Sequence, residues 1–365
     1  MVVVIAHHVA QAYGPTGAWW PVQEPARAMI LDPFFTVNRS FGMSLFFMIA
    51  GYFTVQVCDK RGPQALVKSR LQRLGFPLLG FSVLMALLQV FVFGPLYIGE
   101  LGSPWPINVI HFWFVQQLFI FSLGYALWRM LSPGGLQPVV RKSNPPGYGA
   151  VLAFAICLAL LTAIVRTWYD IDEWVYLLGY IRVAFADLPR DLAMFLVGTL
   201  AYRHQWVTHF PSKAGQVWLG VGLFLAGFWY AYRWWLVDVI VLSDTIWGLL
   251  FPLWESLLCC SMCIGLITLF RDKINTQGPV AMEMAGSTYT AYMLHVFIAI
   301  LFQYVALGLL VSPLLKFFLV TLITVPGSFL LASLIRRSIR FRMRCRGKGF
   351  DKLIPNGSGV EQGMV

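Results

Sequence analysis

Charged residues are scarce in this sequence, and their scarcity excludes an ordinary soluble domain. Only 12% of the 365 residues are charged, and 58% are hydrophobic. Soluble domains contain about 25% charged and about 45–50% apolar residues. Apolar segments of about 20 residues, the length that crosses a hydrocarbon core of about 30 Å, recur along the chain. The sequence therefore predicts an integral membrane protein.

The apolar segments are continuous and rich in leucine, phenylalanine, glycine and tryptophan. Membrane β-strands alternate polar and apolar residues over about ten positions, so these runs predict helices. We predict an all-α fold, a polytopic transmembrane bundle of about ten helices that forms one domain over residues 1–340. The predicted membrane segments are 1–12, 40–58, 75–99, 108–131, 148–167, 186–203, 215–237, 244–270, 284–309 and 313–336. Residues 341–365 are basic, and we predict that they form a disordered tail.

Acidic residues are the scarcer charge, with 16 Asp and Glu against 27 Lys and Arg and a net charge of +11. A positive chain can indicate nucleic-acid binding. Here, however, the positive residues concentrate in alternate loops and in the tail, and acidic residues occupy the other loops. This distribution follows the positive-inside rule. It predicts a multi-pass protein with a cytoplasmic C-terminus, a lipid bilayer as its surroundings and no nucleic acid as a partner.

Cysteines are few, and none of the six lies in a predicted outer loop, so no disulfide framework is expected. Cys259, Cys260 and Cys263 lie in an apolar run without a second ligand pair, and no metal site is predicted. A cleavable signal peptide is not predicted, since a basic n-region and a small-residue cleavage site are lacking. The shortness of segment 1–12 instead predicts that part of the first helix precedes residue 1.

Two adjacent histidines, His7 and His8, end the apolar run at the start of the chain. An ionisable side chain within a membrane is costly unless a partner or a function retains it. Imidazole also changes its charge near neutral pH, which suits it to proton transfer. The pair is therefore a candidate for chemistry.

Arg70 and Arg73 lie three residues apart in the motif RLQRLGFP, before the third predicted membrane segment. Residues at this spacing face the same way on a helix, and two guanidinium groups are suited to bidentate contact with phosphate. We interpret them as a candidate site for a phosphate-bearing cosubstrate. The alternative is that they only enforce orientation, as the neighbouring positive residues do.

Three polar or small residues of the predicted bundle have two interpretations each. Ser44 and Gly51 interrupt bulky aromatics in one membrane helix, where small residues permit the close approach of a thin ligand or of another helix. His111 opens a later segment that also carries Gln116 and Gln117. The two amides need partners inside the bundle and predict a polar cavity beside this helix. Aromatic anchoring at the membrane interface explains the neighbouring Phe112 and Trp113.

The second half of the chain contains two further candidate groups. Tyr292 and His295 fall broadly on one face of the ninth predicted helix, where they either line a substrate channel or form a structural network. Arg190 and Glu255 lie near the predicted outer ends of their helices. They either neutralise opposite charges locally or line a pocket for a polyhydroxylated acceptor.

Six motifs occur in the order HHVAQAYGPTGAWW, FFMIAGYF, RLQRLGFP, HFWFVQQLFIFSLGYALWR, MFLVGTLAYRHQW and STYTAYMLH. In this order, over nearly the whole chain, the sequence resembles the acyltransferase-3 family of membrane acyltransferases. That family includes O-antigen acetylases and the glucan succinylation protein of bacterial envelopes. The resemblance implies transfer of an acetyl or succinyl group from cytoplasmic acyl-CoA to a hydroxyl of an extracytoplasmic glycan or related acceptor. It also implies polysaccharide modification, such as O-acetylation, at the inner membrane.

The resemblance also implies which residues form the site. The catalytic histidine of the family falls on His8 if the AYG that follows is aligned, and otherwise on His7. The arginine that precedes this histidine by about eleven residues in the family would lie before residue 1. The cytoplasmic RxxR motif falls on Arg70 and Arg73, which would bind acyl-CoA as a cosubstrate, without a permanently bound cofactor. The serine of the family motif FFxxSGF is Ala50 here, so a hydroxyl role at that position is not expected.

The competing hypothesis is a secondary transporter or flippase for an anionic or sugar substrate. In that case the same polar residues would line a transport pathway. Many transporters carry inverted internal repeats with broken helices in matching positions, and the sequence shows no such repeat. A structural scaffold, the third possibility, leaves His8, His111 and His295 without a purpose.

Overall fold

The computed structural model describes residues 1–17, 20–88, 110–132, 143–240 and 242–350. The described chain is almost entirely helical and divides into two compact units. The first unit combines the start of the chain, Met1–Leu31, with its last part, Thr276–Val365. The second unit is the continuous segment Asp32–Asn275.

The second unit contains most of the helices and a small β-hairpin. Its helices are α2 (Asp32–Arg61), α3 (Pro63–Arg70), α4 (Phe76–Leu88), α5 (Trp113–Leu131), α6 (Tyr148–Val165), α7 (Leu188–Arg203), α8 (Trp206–His209), α9 (Ser212–Ala231) and α10 (Asp244–Lys273). Single π-helical turns follow α3 and α9, at Leu71–Gly75 and Tyr232–Leu236. The hairpin pairs β1 (Val175–Leu177) with β2 (Ile181–Val183) in antiparallel register.

The first unit consists of α1 (Val2–Ala10), α11 (Pro279–Leu307) and α12 (Pro313–Phe350). The segment predicted as a tail, 341–365, includes the last ten residues of α12, and residues 351–365 lie outside the described chain. Helix α1 packs against both α11 and α12. The loop after α1 folds back on its own start, because Glu24 N–H donates to the Ala12 carbonyl at 3.1 Å, two residues beyond the end of α1. A buried ion pair of 2.8 Å between Lys316 and Glu24 then joins this loop to α12.

Six helical segments among the described residues are long and apolar enough to cross a membrane. They are Met29–Arg61, Tyr148–Val165, Ser212–Leu236, Asp244–Lys273, Pro279–Leu307 and Pro313–Ser338. The predicted multi-pass helical fold is therefore confirmed, but the predicted count of about ten is not. Helices α1 and α7 have only nine and 16 residues, and α5 carries two glutamines and an arginine. The predicted segment 75–99 continues beyond the described residues.

Helix α2 begins at Asp32, eight residues before the segment predicted from hydropathy. Several polar residues in this first part are paired, which lets the helix continue through them. The Ser40 hydroxyl donates to the Thr36 carbonyl one turn earlier at 2.7 Å, and Arg39 donates to Asp187 at 2.8 Å. Hydropathy alone missed these turns because it does not register such partners.

Helices α2 and α7 approach each other at two glycines. A Cβ atom on Gly51 would lie 2.1 Å from the Phe195 carbonyl oxygen, and one on Gly198 would lie 1.9 Å from the Met48 carbonyl oxygen. Real Cβ contacts are never this short, so both positions require glycine. The structure thus places Gly51 in a helix–helix contact.

The β-hairpin of the second unit is held by a side chain of α5. Gln116 donates to the Tyr180 carbonyl at 3.1 Å and accepts from the Arg182 backbone N–H at 2.9 Å. The Arg182 guanidinium also lies 4.0 Å from the centre of the Trp174 ring, and burial lowers its pKa. The amide of Gln116 therefore satisfies backbone groups of the hairpin.

Candidate functional site

Two histidines from distant parts of the chain share a hydrogen bond in the first unit. His8 Nδ1 lies 3.2 Å from His295 Nε2, and the ring centres are 4.9 Å apart. His8 is partly buried on α1, and His295 is fully buried on α11. The structure thus brings together two residues that the sequence analysis had singled out separately.

Each ring of this pair is also held by a backbone carbonyl of its own helix. His8 Nδ1 lies 2.9 Å from the Val4 carbonyl oxygen, one turn earlier on α1. His295 Nδ1 lies 2.6 Å from the Tyr292 carbonyl oxygen, one turn earlier on α11. Side chains at these spacings lie above the preceding turn of the same helix. Two rigid helices therefore fix the orientation of both imidazoles.

The neighbouring His7 has different contacts. Its Nε2 atom accepts from the Gln11 amide at 3.4 Å, and its ring meets that of His8 edge to face at 5.9 Å. The 3.2 Å contact with His295 Nε2 is made by His8 Nδ1. This difference favours His8 over His7 as the reacting residue, in agreement with the alignment on AYG.

Gln303 joins three parts of this site and was not identified in the sequence. It is fully buried on α11, and its amide donates to the Val9 carbonyl at 2.9 Å. Its oxygen accepts from the Trp20 indole at 2.8 Å. Trp20 in turn lies 5.8 Å from the His8 ring centre. A usable signal was present, because Gln303 is eight residues after His295, which places both on one face of a helix.

The second unit contains a buried ionic cluster contributed by four helices, α2, α6, α7 and α10, and their caps. We define the ionic cluster by its members Arg39, Arg166, Asp187, Arg190 and Glu255. Arg190 contacts Glu255 at 3.2 Å and Asp187 at 3.0 Å. Arg166 contacts the other oxygen of Glu255 at 2.5 Å, and Arg39 contacts Asp187 at 2.8 Å. Each carboxylate therefore serves at least two guanidinium groups.

Ser44 and Asp191 lie at the edge of this cluster. The Ser44 hydroxyl donates to the Asp191 carboxylate at 2.8 Å and lies 3.3 Å from Arg190 Nε. Both side chains are buried. The structure brings Arg190, Glu255 and Ser44 together, since Arg190 contacts both of the other side chains. The carboxylates of the ionic cluster supply the local neutralisation that a buried arginine needs. That these residues line an acceptor pocket stays a prediction.

Arg70 is the last residue of α3, and Arg73 lies in the π-helical turn that follows it. Arg70 is half-buried and donates to the Thr54 hydroxyl at 2.8 Å, whereas Arg73 is exposed. Burial, together with the positive charge of Arg73, lowers the pKa of Arg70. Within the described part of the chain, Arg70 Nε is buried without a hydrogen-bond partner. The two positive charges are thus close enough to affect one another, and neither forms an ion pair with a described acidic residue.

His111 lies in the second unit, in the short 3₁₀ turn before α5. It is buried and packs edge to face against Phe81 and Phe112, at 5.1 and 4.9 Å between ring centres. The His111 ring is therefore packed among aromatic side chains. The role of His111 as a channel residue stays a prediction. Among the residues that the structure describes, no group of three His, Cys, Asp or Glu side chains could hold a metal ion.

Comparison with known proteins gives one match. The model of a protein family described as an acyltransferase domain matches residues 1–333. No curated protein and no solved structure matches the chain. The matched residues include the histidine pair, the two arginines and the ionic cluster.

Proposed function

Because this chain belongs to the acyltransferase-3 family, we propose that it is a membrane O-acyltransferase acting on the cell envelope. The proposed donor is cytoplasmic acyl-CoA carrying an acetyl or succinyl group. The proposed acceptor is a hydroxyl group of an extracytoplasmic glycan or a related envelope molecule. The observation that carries the proposal is the His8 imidazole, oriented by hydrogen bonds from Nδ1 to two helices.

The proposed reaction uses the neutral imidazole of His8 as a general base. The acceptor hydroxyl attacks the thioester carbonyl while a ring nitrogen takes its proton, the carbon–oxygen bond forms and the carbon–sulfur bond breaks. The same proton then passes to the CoA thiolate, so that the products are the ester and free CoA. General-base catalysis contributes typically about 10²- to 10⁴-fold. A route in which His8 first carries the acyl group as a covalent intermediate uses the same residue.

Arg70 and Arg73 are the residues that we propose for binding the phosphates of acyl-CoA. Guanidinium groups bind phosphate oxygens through charge-assisted, bidentate hydrogen bonds. Arg70 has a buried N–H group that the described residues leave unused, and Arg73 is exposed beside it. In the orientation that we propose, an inner-membrane protein with a cytoplasmic C-terminus, this pair faces the compartment that contains acyl-CoA.

We expect Arg73→Ala to raise the KM for acyl-CoA by about 10- to 100-fold, the effect of losing one hydrogen-bonded charge of about 1.5–3 kcal/mol. The kcat value should change much less, since this arginine binds the donor and not the reacting atoms. Steady-state kinetics over a range of acyl-CoA concentrations measures both values.

Arg61→Ala is the matched control, because Arg61 is another exposed cation nearby at the end of α2. Its KM should stay within about twofold of that of the native protein, since salt screens exposed charges that make no direct contact. Equal increases in both variants would show that the arginines act only through general charge, as the orientation hypothesis holds.

The experiment that tests the proposed function is a transfer assay in membranes that contain the protein. Radiolabelled acetyl-CoA or succinyl-CoA is added together with envelope glycans, and membranes without the protein serve as the control. We expect label to appear in the glycan fraction only when the protein is present. Failure to label any fraction with either donor, at full protein levels, would contradict the proposal. Uptake of a labelled sugar or anion into vesicles would then support the transporter.

A further inference from the structure

The hydrogen bonds around the histidine pair determine which nitrogen of each ring carries a proton. His295 Nδ1 lies 2.6 Å from the Tyr292 carbonyl oxygen. A carbonyl oxygen can only accept a hydrogen bond, so this nitrogen must be the donor. A neutral imidazole has one N–H group. His295 therefore presents an unprotonated Nε2 atom to His8.

His8 Nδ1 lies between two acceptors. The Val4 carbonyl oxygen is 2.9 Å away, and the unprotonated Nε2 of His295 is 3.2 Å away. If His8 Nδ1 carried a lone pair, it would face the lone pairs of both atoms at hydrogen-bond distance, which is repulsive. The contacts therefore require the N–H group of His8 at Nδ1, shared between the two acceptors, and the lone pair at Nε2.

The reverse arrangement, with a positive His295 donating from Nε2, is disfavoured for two reasons. It would place a charge on a fully buried ring, and an uncompensated buried charge is costly. It would also turn the lone pair of His8 Nδ1 toward the Val4 carbonyl at 2.9 Å. The arrangement with Nδ1–H on both rings satisfies the contacts with the Val4 and Tyr292 carbonyls and the contact between the two rings together.

On this basis we propose that His295 is a positioning residue, which fixes His8 in the tautomer whose Nε2 atom carries the reacting lone pair. The inference rests on the proposed function and assigns the reacting nitrogen within it. Nε2 then serves in either route, as the base that takes the hydroxyl proton or as the nucleophile that takes the acyl group.

The same contact strengthens during the reaction. When Nε2 takes a proton, His8 becomes positively charged, and its Nδ1–H group donates to His295 Nε2 and to the Val4 carbonyl. Hydrogen bonds from a charged donor are about twice as strong as neutral ones. An interaction that strengthens only as charge develops raises kcat rather than substrate affinity.

Helix α11 is held in the position that this contact requires. Gln303, two turns after His295, donates to the Val9 carbonyl at 2.9 Å and lies 3.4 Å from the His8 carbonyl oxygen. Ala299, between the two on the same face, is fully buried. Gln303 therefore ties the backbone at His8 and Val9 to α11, the helix that carries His295.

Two substitutions of nearly equal size separate positioning from packing. His295→Gln places an amide oxygen near the position of Nε2, where it can still accept from His8. His295→Asn places its amide near the position of Nδ1, where it can still donate to Tyr292 but cannot reach His8. We expect His295→Asn to lower kcat about 10- to 100-fold, the effect of one hydrogen bond to a charged group, with an unchanged KM for acyl-CoA. His295→Gln should recover kcat to within about fivefold.

Nitrogen NMR of the purified protein, labelled with ¹⁵N-histidine in detergent, measures the tautomer without any turnover. The His8 signals are identified by their loss in His8→Gln. We expect the native protein to show a protonated Nδ1 and a bare Nε2 at His8, and His295→Asn to move His8 toward the other tautomer. A His8 protonated at Nε2 in the native protein, or an unchanged His8 spectrum in His295→Asn, would overturn the inference.

The two readouts separate failure of the inference from failure of the proposed function. If no acyl donor gives transfer with the native protein, the proposed function fails, and the NMR spectra still decide the tautomer. If transfer occurs but the Asn and Gln variants lose the same fraction of kcat, His295 acts through packing and the positioning role is rejected.

Discussion

We expect the His8→Ala protein to lose at least about 100-fold of its acyl-transfer rate while it accumulates in the membrane at the native level. The loss follows from the removal of the imidazole that we propose as the acceptor of the hydroxyl proton, because general-base catalysis contributes about 10²- to 10⁴-fold. The effect should appear in kcat, since donor binding is assigned to other residues. Label transfer from acyl-CoA, normalised to the amount of protein, is the measurement.

His7→Ala is the informative companion variant. The His7 ring accepts from Gln11, whereas the bonds to Val4 and His295 are made by His8. We therefore expect His7→Ala to reduce transfer far less than His8→Ala does. A loss confined to His7→Ala would move the catalytic assignment to His7, and full transfer by both single variants would reject a histidine mechanism at this pair.

Glu255→Ala is expected to have the largest effect on stability, about 3–5 kcal/mol, the range found when one partner of a buried ion pair is removed. The Glu255 side chain is 3% exposed and contacts both Arg190 and Arg166. Without it, two buried guanidinium groups lose a counter-charge at once. Thermal unfolding of the protein in detergent should show a strongly lowered midpoint and a reduced yield.

Asp172→Asn is the matched control, since it also removes a carboxylate that contacts an arginine of the ionic cluster, and asparagine tolerates the left-handed backbone of this position, where φ is 74°. Asp172 bonds to Arg39, but its side chain is 80% exposed, and exposed pairs contribute about 0–1 kcal/mol. The midpoint should therefore change little. Were Glu255→Ala as stable as Asp172→Asn, the cluster would not support the fold, and the result would favour the acceptor-pocket interpretation of Arg190 and Glu255.

The fold was predictable from the sequence where length and hydropathy decide it. Each of the six long apolar helices overlaps a predicted segment, because the hydrocarbon thickness imposes a minimum length on any helix that crosses it. The start of α2 at Asp32 was not predictable in this way. Its first turns are polar, and they are helical because Arg39 finds a carboxylate 148 residues away.

The residues of the candidate site were proposed from the sequence one by one, but their arrangement was not predictable. His8 and His295 were both candidates, yet the contact between them joins residues 287 positions apart, and periodicity reports only which residues share a face within one helix. Gln116 was expected to need a polar partner, and it has one in the backbone of the β-hairpin. That partner was not visible from the sequence, since any backbone group can supply it.

The first unit is assembled from the two ends of the sequence, and this division constrains how the protein matures during synthesis. The contacts that complete the site join Trp20 to Gln303 and Glu24 to Lys316, and the His8 contact reaches His295. A ribosome adds about 5–20 residues per second, so His8 emerges many seconds before its partner. Throughout that interval the growing chain carries His8 without the ring that we propose orients it. Chains that terminate before Lys316 would contain His8, Arg70 and Arg73 but lack the complete set of contacts, so we expect competence for acyl transfer to be acquired last.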